Sequence, residues 1–383
     1  MKQDFWAIFV FSLFVFIVLV RLFIYAYIFP LLKKIKYSIT TPLVPKGKNN
    51  VSVIIAARNE EENLKKLLPQ ILTQKYNGNF EVIVVLDSCT DNSKRVLLDY
   101  KKKYDNLYFT EVFQDRRFDK YKKLAILIGV KAAKYENLLF IDADCKPASN
   151  RWLETMSEQF DKYDLILGYG GISKDNGFTN TIYRYDTVYN TALFMAAALR
   201  GKPYMAVGRN MAYKKHLFNK VGGFRNHYHL PSGNDDLFVR DVAKFAKTTV
   251  CVSPDSFVYT HSPKTLKELF FKKIRHTSIS SHYRTGTKLF LAADAFSRII
   301  FLPYLLFSSY FLYVTETKLA EIVLYLTLAK VLSEIIILKP VFKHFKESKL
   351  FWISTFANIF LPAFVGWGMM YGRLKKNTLK KWL

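Results

Sequence analysis

Two apolar stretches bracket the chain and leave only its middle to fold as a water-soluble domain. The first runs from Phe5 to Leu32 with Arg21 as its single charge. A run of this length crosses a hydrocarbon core of about 30 Å. A cleaved signal peptide would have a shorter apolar region ending in small residues. This one ends in Pro30, Leu31 and Leu32, followed by Lys33, Lys34 and Lys36. The reading is therefore an uncleaved anchor, with the basic cluster placing the following residues in the cytoplasm. Arg21 is expected to snorkel, or to mark a passage into an interfacial helix. The chain turns apolar again from about residue 286, with candidate spans at 297–314, 319–338 and 350–371. Arg21 and Arg298 are the charges expected inside spans. The basic stretches Lys339–Lys349 and Arg373–Lys381 cannot both be cytoplasmic if 350–371 crosses once. Either one candidate is re-entrant or interfacial, or the charge rule fails here.

The net charge of +26 fits a chain whose lysines meet anionic headgroups and whose ligand carries phosphate. No nucleic-acid motif accompanies that charge, so nucleic acid is not an expected partner. Cys89, Cys145 and Cys251 are far apart and form neither a zinc pattern nor a disulfide framework. A reduced, cytosolic domain accounts for them.

Between the apolar ends, β-branched runs alternate with helical patterns. Strands are predicted at 51–57 (VSVIIAA), 81–86, 107–112 and 138–142, and helices at 60–74, 91–104 and 121–134. That alternation predicts an α/β domain, a mostly parallel sheet flanked by helices. Ligands of such sheets sit at the carboxyl ends of the strands. The expected organisation is an anchor at 1–36 and a linker at 37–50 containing Pro42, Pro45 and Gly47. An α/β domain at 51–262, an amphipathic segment at 263–288 and membrane helices with a basic tail at 289–383 follow.

Acidic residues cluster where those strands end. Asp87 closes EVIVVL, and Asp91 a few residues on is good capping chemistry for the next helix. LLFI runs into Asp142, Ala143 and Asp144. Two carboxylates after a buried strand are costly unless neutralised, and Mg²⁺ is commonly held by one or two carboxylates plus substrate phosphates. In SGNDDLF, Asp235 and Asp236 precede an apolar helical pattern. One suits a helix cap and the other a general base. The stretch GRNMAYKKHLFNKVGGF offers a tight turn at Gly222 and Gly223 and no assignable chemistry. Residues 264–285 are basic and amphipathic, the pattern of a helix on anionic lipid. Within them, Arg275 has the fork geometry that suits a diphosphate.

Taken in order over residues 50–285, these motifs resemble the family 2 glycosyltransferases, inverting enzymes of the GT-A fold. VSVIIAARNEEENL is similar to the family's first strand and nucleotide-contacting loop, placing Ala57, Arg58, Asn59 and Glu60 at the donor. VVLDSCTDNS places Asp87 on the nucleotide-binding aspartate. YKKLAILIGVKAA is similar to the lysine-bearing helix, with Lys123 taken as the donor lysine. FIDADCKP is similar to the DxD element, which implies Asp142 near ribose and metal and Asp144 as metal ligand, with Mg²⁺ or Mn²⁺ as cofactor. SGNDDLF corresponds to the acidic motif that supplies the base. Asn234 stands where the family usually has an acidic residue, and counting from Gly233 favours Asp235 over Asp236. KKIRH is similar to QxxRW, with Arg275 the strict match and His276 in the acceptor-shaping tryptophan position. The resemblance implies an integral membrane enzyme with its catalytic domain in the cytoplasm. It would move a sugar from a nucleotide-diphosphate donor, UDP-linked in the common case, to a lipid, lipid-linked or glycan acceptor. A processive polysaccharide synthase needs more helices for a polymer channel than these candidate spans supply. A non-catalytic scaffold would not need its acidic residues intact.

Overall fold

A computed structural model describes residues 2–40, 49–113, 121–230, 232–315 and 317–374. The chain opens with helix α1 (Lys2–Thr40) and alternates through β1 (Val51–Ala57), α2 (Glu61–Leu72), β2 (Phe80–Asp87), α3 (Ser93–Lys101), β3 (Leu107–Val112), α4 (Tyr121–Ala132) and β4 (Asn137–Phe140). Then come β5 (Cys145–Pro147), α5 (Trp152–Ser157), β6 (Leu165–Gly168), β7 (Gly170–Ile172), α6 (Phe178–Leu199), β8 (Met211–Lys214), α7 (Lys215–Lys220), α8 (Asp236–Val242), β9 (Thr248–Cys251) and β10 (Val258–Thr260). Four helices follow: α9 (Leu266–Ser280), α10 (Thr285–Thr315), α11 (Thr317–His344) and α12 (Ser354–Leu374). The contacts divide the chain into two units. One joins residues 34–175 and 197–262; the other joins 1–33, 176–196 and 263–383.

The first unit is the expected α/β domain, with its sheet in the order β3-β2-β1-β4-β8-β6-β9. β1 pairs in parallel with β2 and β4, and β2 with β3. β8 runs antiparallel between β4 and β6. The β1 run is apolar because helices cover both sheet faces. Its one polar residue, Ser52, donates to Glu81 Oε1 on β2 at 2.6 Å, and Glu81 in turn accepts from the Lys134 N–H. A second sheet, β5-β10-β7, lies in the same unit. The predicted linker 37–50 differs in part. Residues 37–40 continue α1, and 41–48 lie outside the described residues.

The second unit gathers the apolar helices. Ala7, Val10, Phe14 and Val18 of α1 form one core with Leu312 of α10 and Val323 of α11. Among the described residues, three helices are long and apolar enough to cross a membrane: Asp4–Ser38, Thr285–Thr315 and Ser348–Gly368. The candidate span 319–338 is absent from that set. Its helix, α11, carries Glu321, Lys330 and Glu334 in its middle, and Lys330 pairs there with Glu334. The basic tail beyond Leu374 lies outside the described residues. Helix α6, inside the stretch read from sequence as the α/β domain, packs for most of its length with this unit.

Arg21 does not snorkel. It is 1% exposed and sits in a polar node built by three helices. Its guanidinium donates to Asp294 Oδ1 of α10 at 2.8 Å, to the Tyr25 hydroxyl at 3.1 Å and to Tyr189 of α6 at 3.4 Å. Tyr189 donates to the same Asp294 oxygen at 2.6 Å, and Arg298 reaches Asp294 Oδ2 at 2.9 Å. The cost of an ionised group among apolar helices is met by this partner and not by reaching water. Asp294, within the apolar helix Thr285–Thr315, is a buried charge that the sequence expectation did not name.

Candidate functional site at the carboxyl ends of the strands

The loops after β1, β2 and β4 meet at one end of the sheet. Two of their residues are non-glycine positions with positive φ: Asn59 at 54° and Ser88 at 49°. Such conformations cost about 1–3 kcal/mol and persist only where surrounding bonds enforce them. Here the loops tie each other down. Asn59 Oδ1 accepts from the Thr90 N–H at 2.8 Å, and the Asn59 N–H donates to Cys89 Sγ at 3.3 Å. Asp91 accepts from the N–H groups of Glu61 and Ser93 at 3.0 and 3.1 Å, and so ties the starts of α2 and α3. Asp87 is thereby left for other work. It is buried, and burial raises its carboxyl above the ordinary range while Arg58 and the Ser88 hydroxyl act the other way.

The two aspartates after β4 are both engaged. Asp142 Oδ1 accepts from Lys122 Nζ at 2.8 Å. Asp144 Oδ2 accepts from Thr260 Oγ1 of β10 at 2.8 Å, and the Cys145 thiol faces its other oxygen at 3.4 Å. Desolvation pulls the Lys122 ammonium down. The charge and hydrogen bond of Asp142, then the charges of Asp235 and Asp144, outweigh it, and the pKa rises. Glu60 senses the same group. Burial holds its carboxyl above the ordinary range against the Asn63 hydrogen bond, and Asp144, Asp142 and Asp91 add repulsion. Lys122, Asp142, Asp144, Asp235 and Glu60 are thus one electrostatic cluster. Among the described residues no group of three or more His, Cys, Asp or Glu side chains is placed to hold a metal by itself. The pair Asp142 and Asp144 nevertheless fits a hard cation that takes its remaining ligands from water and phosphate.

Asp235 is held from two sides. It caps α8 through the Asp236 N–H at 3.0 Å and accepts the Gly208 N–H at 2.9 Å. A Cβ at position 208 would lie 2.9 Å from Asp235 Oδ2, so this approach requires glycine. Capping and access therefore fall on one carboxylate, where the sequence offered a division between neighbours. Asp236 is buried, and Asn234 is half-buried. The GRN stretch that carried no readable chemistry is the site's back wall. Asn210 donates to the carbonyls of Tyr169 and Ser256 at 2.8 Å each and accepts from Trp152 Nε1. Arg209 donates to the Gly170 carbonyl.

Lys123 does not reach this cluster. It is 2% exposed and donates to the carbonyls of His227 and Leu230 at 2.6 and 2.9 Å. The lysine at the carboxylates is its neighbour Lys122, a quarter turn away on α4. Ala57 ends β1 at the base of the Asn59 loop. Arg275 and His276 lie on α9 in the unit of apolar helices, both exposed. Lys122, Gly208 and Thr260 are site residues that the sequence reading did not name.

This geometry defines an α/β domain that presents carboxylates at the carboxyl ends of parallel strands, the place where such sheets bind ligands. Residues 52–222 match the family model described as Glycosyl transferase family 2. A glycosyltransferase, AglE, of Haloferax volcanii is 31% identical over 188 residues, 48% of this chain and 58% of that protein. A poly-beta-1,6-N-acetyl-D-glucosamine synthase of Staphylococcus epidermidis is 31% identical over 94 residues, 24% of this chain and 21% of its own. An undecaprenyl-phosphate 4-deoxy-4-formamido-L-arabinose transferase of Proteus mirabilis is 24% identical over 175 residues, 45% of this chain and 51% of its own. The chain thus spans less than two thirds of each of these relatives. A solved mannosyltransferase of Pyrobaculum calidifontis aligns over 90% of this chain and 99% of its own at 18% identity, with a TM-score of 0.49.

Proposed function

We propose that this protein is a membrane-bound inverting glycosyltransferase. It would move a sugar from a nucleotide-diphosphate donor to a lipid or lipid-linked acceptor at the cytoplasmic face. The observation that carries the reading is the convergence of Asp142, Asp144, Lys122 and Asp235 at one end of the sheet. Asp87 and the Arg58–Asn59–Glu60 loop would hold the nucleotide, with Asp87 accepting hydrogen bonds from base or ribose. Asp142 and Asp144 would hold Mg²⁺ or Mn²⁺, which when bound offsets charge on the leaving diphosphate. Lys122 adds a positive charge at the same carboxylates. Asp235 takes the proton of the acceptor hydroxyl, its carboxylate oriented by the N–H groups of Gly208 and Asp236. Attack from the face opposite the nucleotide gives a β-linked product from an α-linked donor. Catalysis comes mainly from positioning and charge stabilisation. Lys33, Lys34 and Lys36 after the first span support the cytoplasmic placement. The names of the curated relatives support a lipid-phosphate or glycan acceptor.

The test is nucleoside diphosphate release by the purified full chain with Mg²⁺ or Mn²⁺, over a panel of nucleotide sugars. Release from one donor, abolished in Asp144→Ala together with Mn²⁺ binding, is expected. An Asp235→Asn protein with full transfer to acceptor would remove Asp235 as the base. Absence of release and of donor binding across the panel would sink the transferase reading.

A further inference from the structure

The two aspartates after β4 are held by different chemistry. Asp142 Oδ1 takes a charged partner, the ammonium of Lys122, on a long side chain that is half exposed. Asp144 forms no ion pair among the described residues. Its two oxygens accept from neutral groups: Oδ2 from Thr260 Oγ1 at 2.8 Å and Oδ1 from Cys145 Sγ at 3.4 Å. Asp144 is itself exposed, whereas Thr260 and Cys145 are 4% and 5% exposed. A carboxylate in water needs no protein donor to be satisfied. This one is nevertheless gripped by two buried side chains.

Both donors sit on well-tied backbone. Thr260 closes β10, the middle strand of the small sheet, and stands opposite Cys145 of β5 on one side and Ile172 of β7 on the other. Its carbonyl accepts from the Ser173 N–H at 2.8 Å. Its β-branched side chain has few χ1 states to choose from. The turn that carries both aspartates is closed by the Cys145 N–H, which donates to the Asp142 carbonyl at 3.1 Å.

The neutrality of these donors matters. An ammonium on Asp144 would offset the charge that draws a cation. A hydroxyl sets the direction of the carboxylate and leaves its charge in place. Carboxylates that bind metals are themselves hydrogen-bonded in this way, and removing such a partner costs about 10–100-fold in metal affinity or activity. The thiol is the weaker donor of the two.

We propose that Thr260 is a positioning residue for the divalent cation, holding Asp144 in the orientation that meets the metal, with Cys145 as a weaker second support. The proposal rests on the transferase reading, in which Asp144 is a metal ligand. Lys122 supplies charge at one aspartate, and Thr260 supplies direction at the other.

The experiment titrates the purified full chain in detergent with Mn²⁺ alone, followed by loss of the free-ion electron paramagnetic resonance signal. Thr260→Val keeps the side-chain shape and removes the donor. It is expected to raise the Mn²⁺ Kd about tenfold or more, with a near-wild-type melting temperature. Thr260→Ser restores the hydroxyl and the affinity. Cys145→Ala weakens binding less than Thr260→Val. Thr260→Ala serves if the valine variant does not fold. In donor hydrolysis, Thr260→Val needs more Mn²⁺ for half-maximal rate and recovers the wild-type rate at saturating Mn²⁺. Wild-type affinity in Thr260→Val, a serine variant as weak as the valine one, or a rate that saturating Mn²⁺ does not restore overturns the proposal and leaves the transferase reading standing. Wild type that binds Mn²⁺ no better than Asp144→Ala removes Asp144 as ligand and the proposal with it. Binding in the expected order with no hydrolysis of any donor removes the transferase reading and keeps the positioning role.

Discussion

Replacing Asp294 by leucine is expected to destabilise the helix unit more than replacing Arg21, although the two form one ion pair. The node holds two guanidiniums, Arg21 and Arg298, and one carboxylate, Asp294. In Arg21→Leu, Asp294 keeps Arg298 at 2.9 Å and the Tyr189 hydroxyl at 2.6 Å, so a neutral pair remains. The loss is the interhelical hydrogen bonds of Arg21, each worth about 0.6 kcal/mol and at most about 1.7 inside membranes. About 1–3 kcal/mol follows. In Asp294→Leu, two buried cations lose their counter-ion. Breaking a buried pair in this way costs about 3–5 kcal/mol. Adding Arg21→Leu to Asp294→Leu should then recover stability by removing one of the stranded charges. The assay is unfolding of the purified proteins in mixed micelles, followed by helical circular dichroism against sodium dodecyl sulfate. Equal losses in the two single variants, or a double variant worse than Asp294→Leu, would refute the charge count.

Four further outcomes follow from the α/β unit. Lys122→Met should lower donor hydrolysis at least tenfold with little change in melting temperature. Lys123→Met should leave two buried carbonyls without their donor and cost about 1–3 kcal/mol, which melting and turnover measurements separate. Gly208→Ala places a methyl against Asp235 Oδ2 and should reduce kcat for transfer about tenfold or more while donor binding is retained. The pH dependence of stability should show two opposed slopes. His227 is held down to about 4 by burial, then by the charge of Lys123, against the pull of Asp241. An unfolded histidine protonates near about 6.5, so its contribution is full above that pH and is lost as pH falls toward 4. Glu158 is pushed up to about 7 by burial and by Glu154. Its folded form keeps a proton that an unfolded glutamate releases near about 4.3, so stability from this residue falls as pH rises through that window. Relative to wild type, Glu158→Gln should lose more stability on acidification from pH 6.5 to 4.5, and His227→Gln less. Parallel curves for all three proteins would refute the assignment.

The parallel half of the sheet was legible because β1, β2 and β4 are apolar along most of their length, and the acidic residues Asp87 and Asp142 stand where those runs stop. Local rules carry that far and no further. Lys122 and Lys123 are adjacent on a helix, and only the packing of α4 decides which ammonium turns to the carboxylates and which to the His227 loop. Asp294 sits just before the run taken as a span, and its partner Arg21 is 273 positions away in the chain. No periodicity links two such residues. GRN was opaque because its contribution is a backbone N–H and a close approach. The sign that would have exposed it is the glycine-rich GYGG at 168–171: Gly168 leaves room for Asn210 and Gly170 for Arg209. For Asp235, the capping rule and the reading of a general base both apply to one residue, and nothing local shows that they coincide.

The division of the chain has a practical consequence. Lys33/Lys34, Asp175/Asn176, Ala196/Ala197 and Ser262/Pro263 each join one unit to the other. Sequence order therefore does not deliver a detachable enzyme. A fragment cut at residues 51 and 262 would keep all of α6 without the helices that pack on Tyr185 and Tyr189, and would present that surface to water. Its yield would report on α6 rather than on the sheet. The α/β unit and the unit of apolar helices interleave along the chain, so the chain has to be handled as one piece.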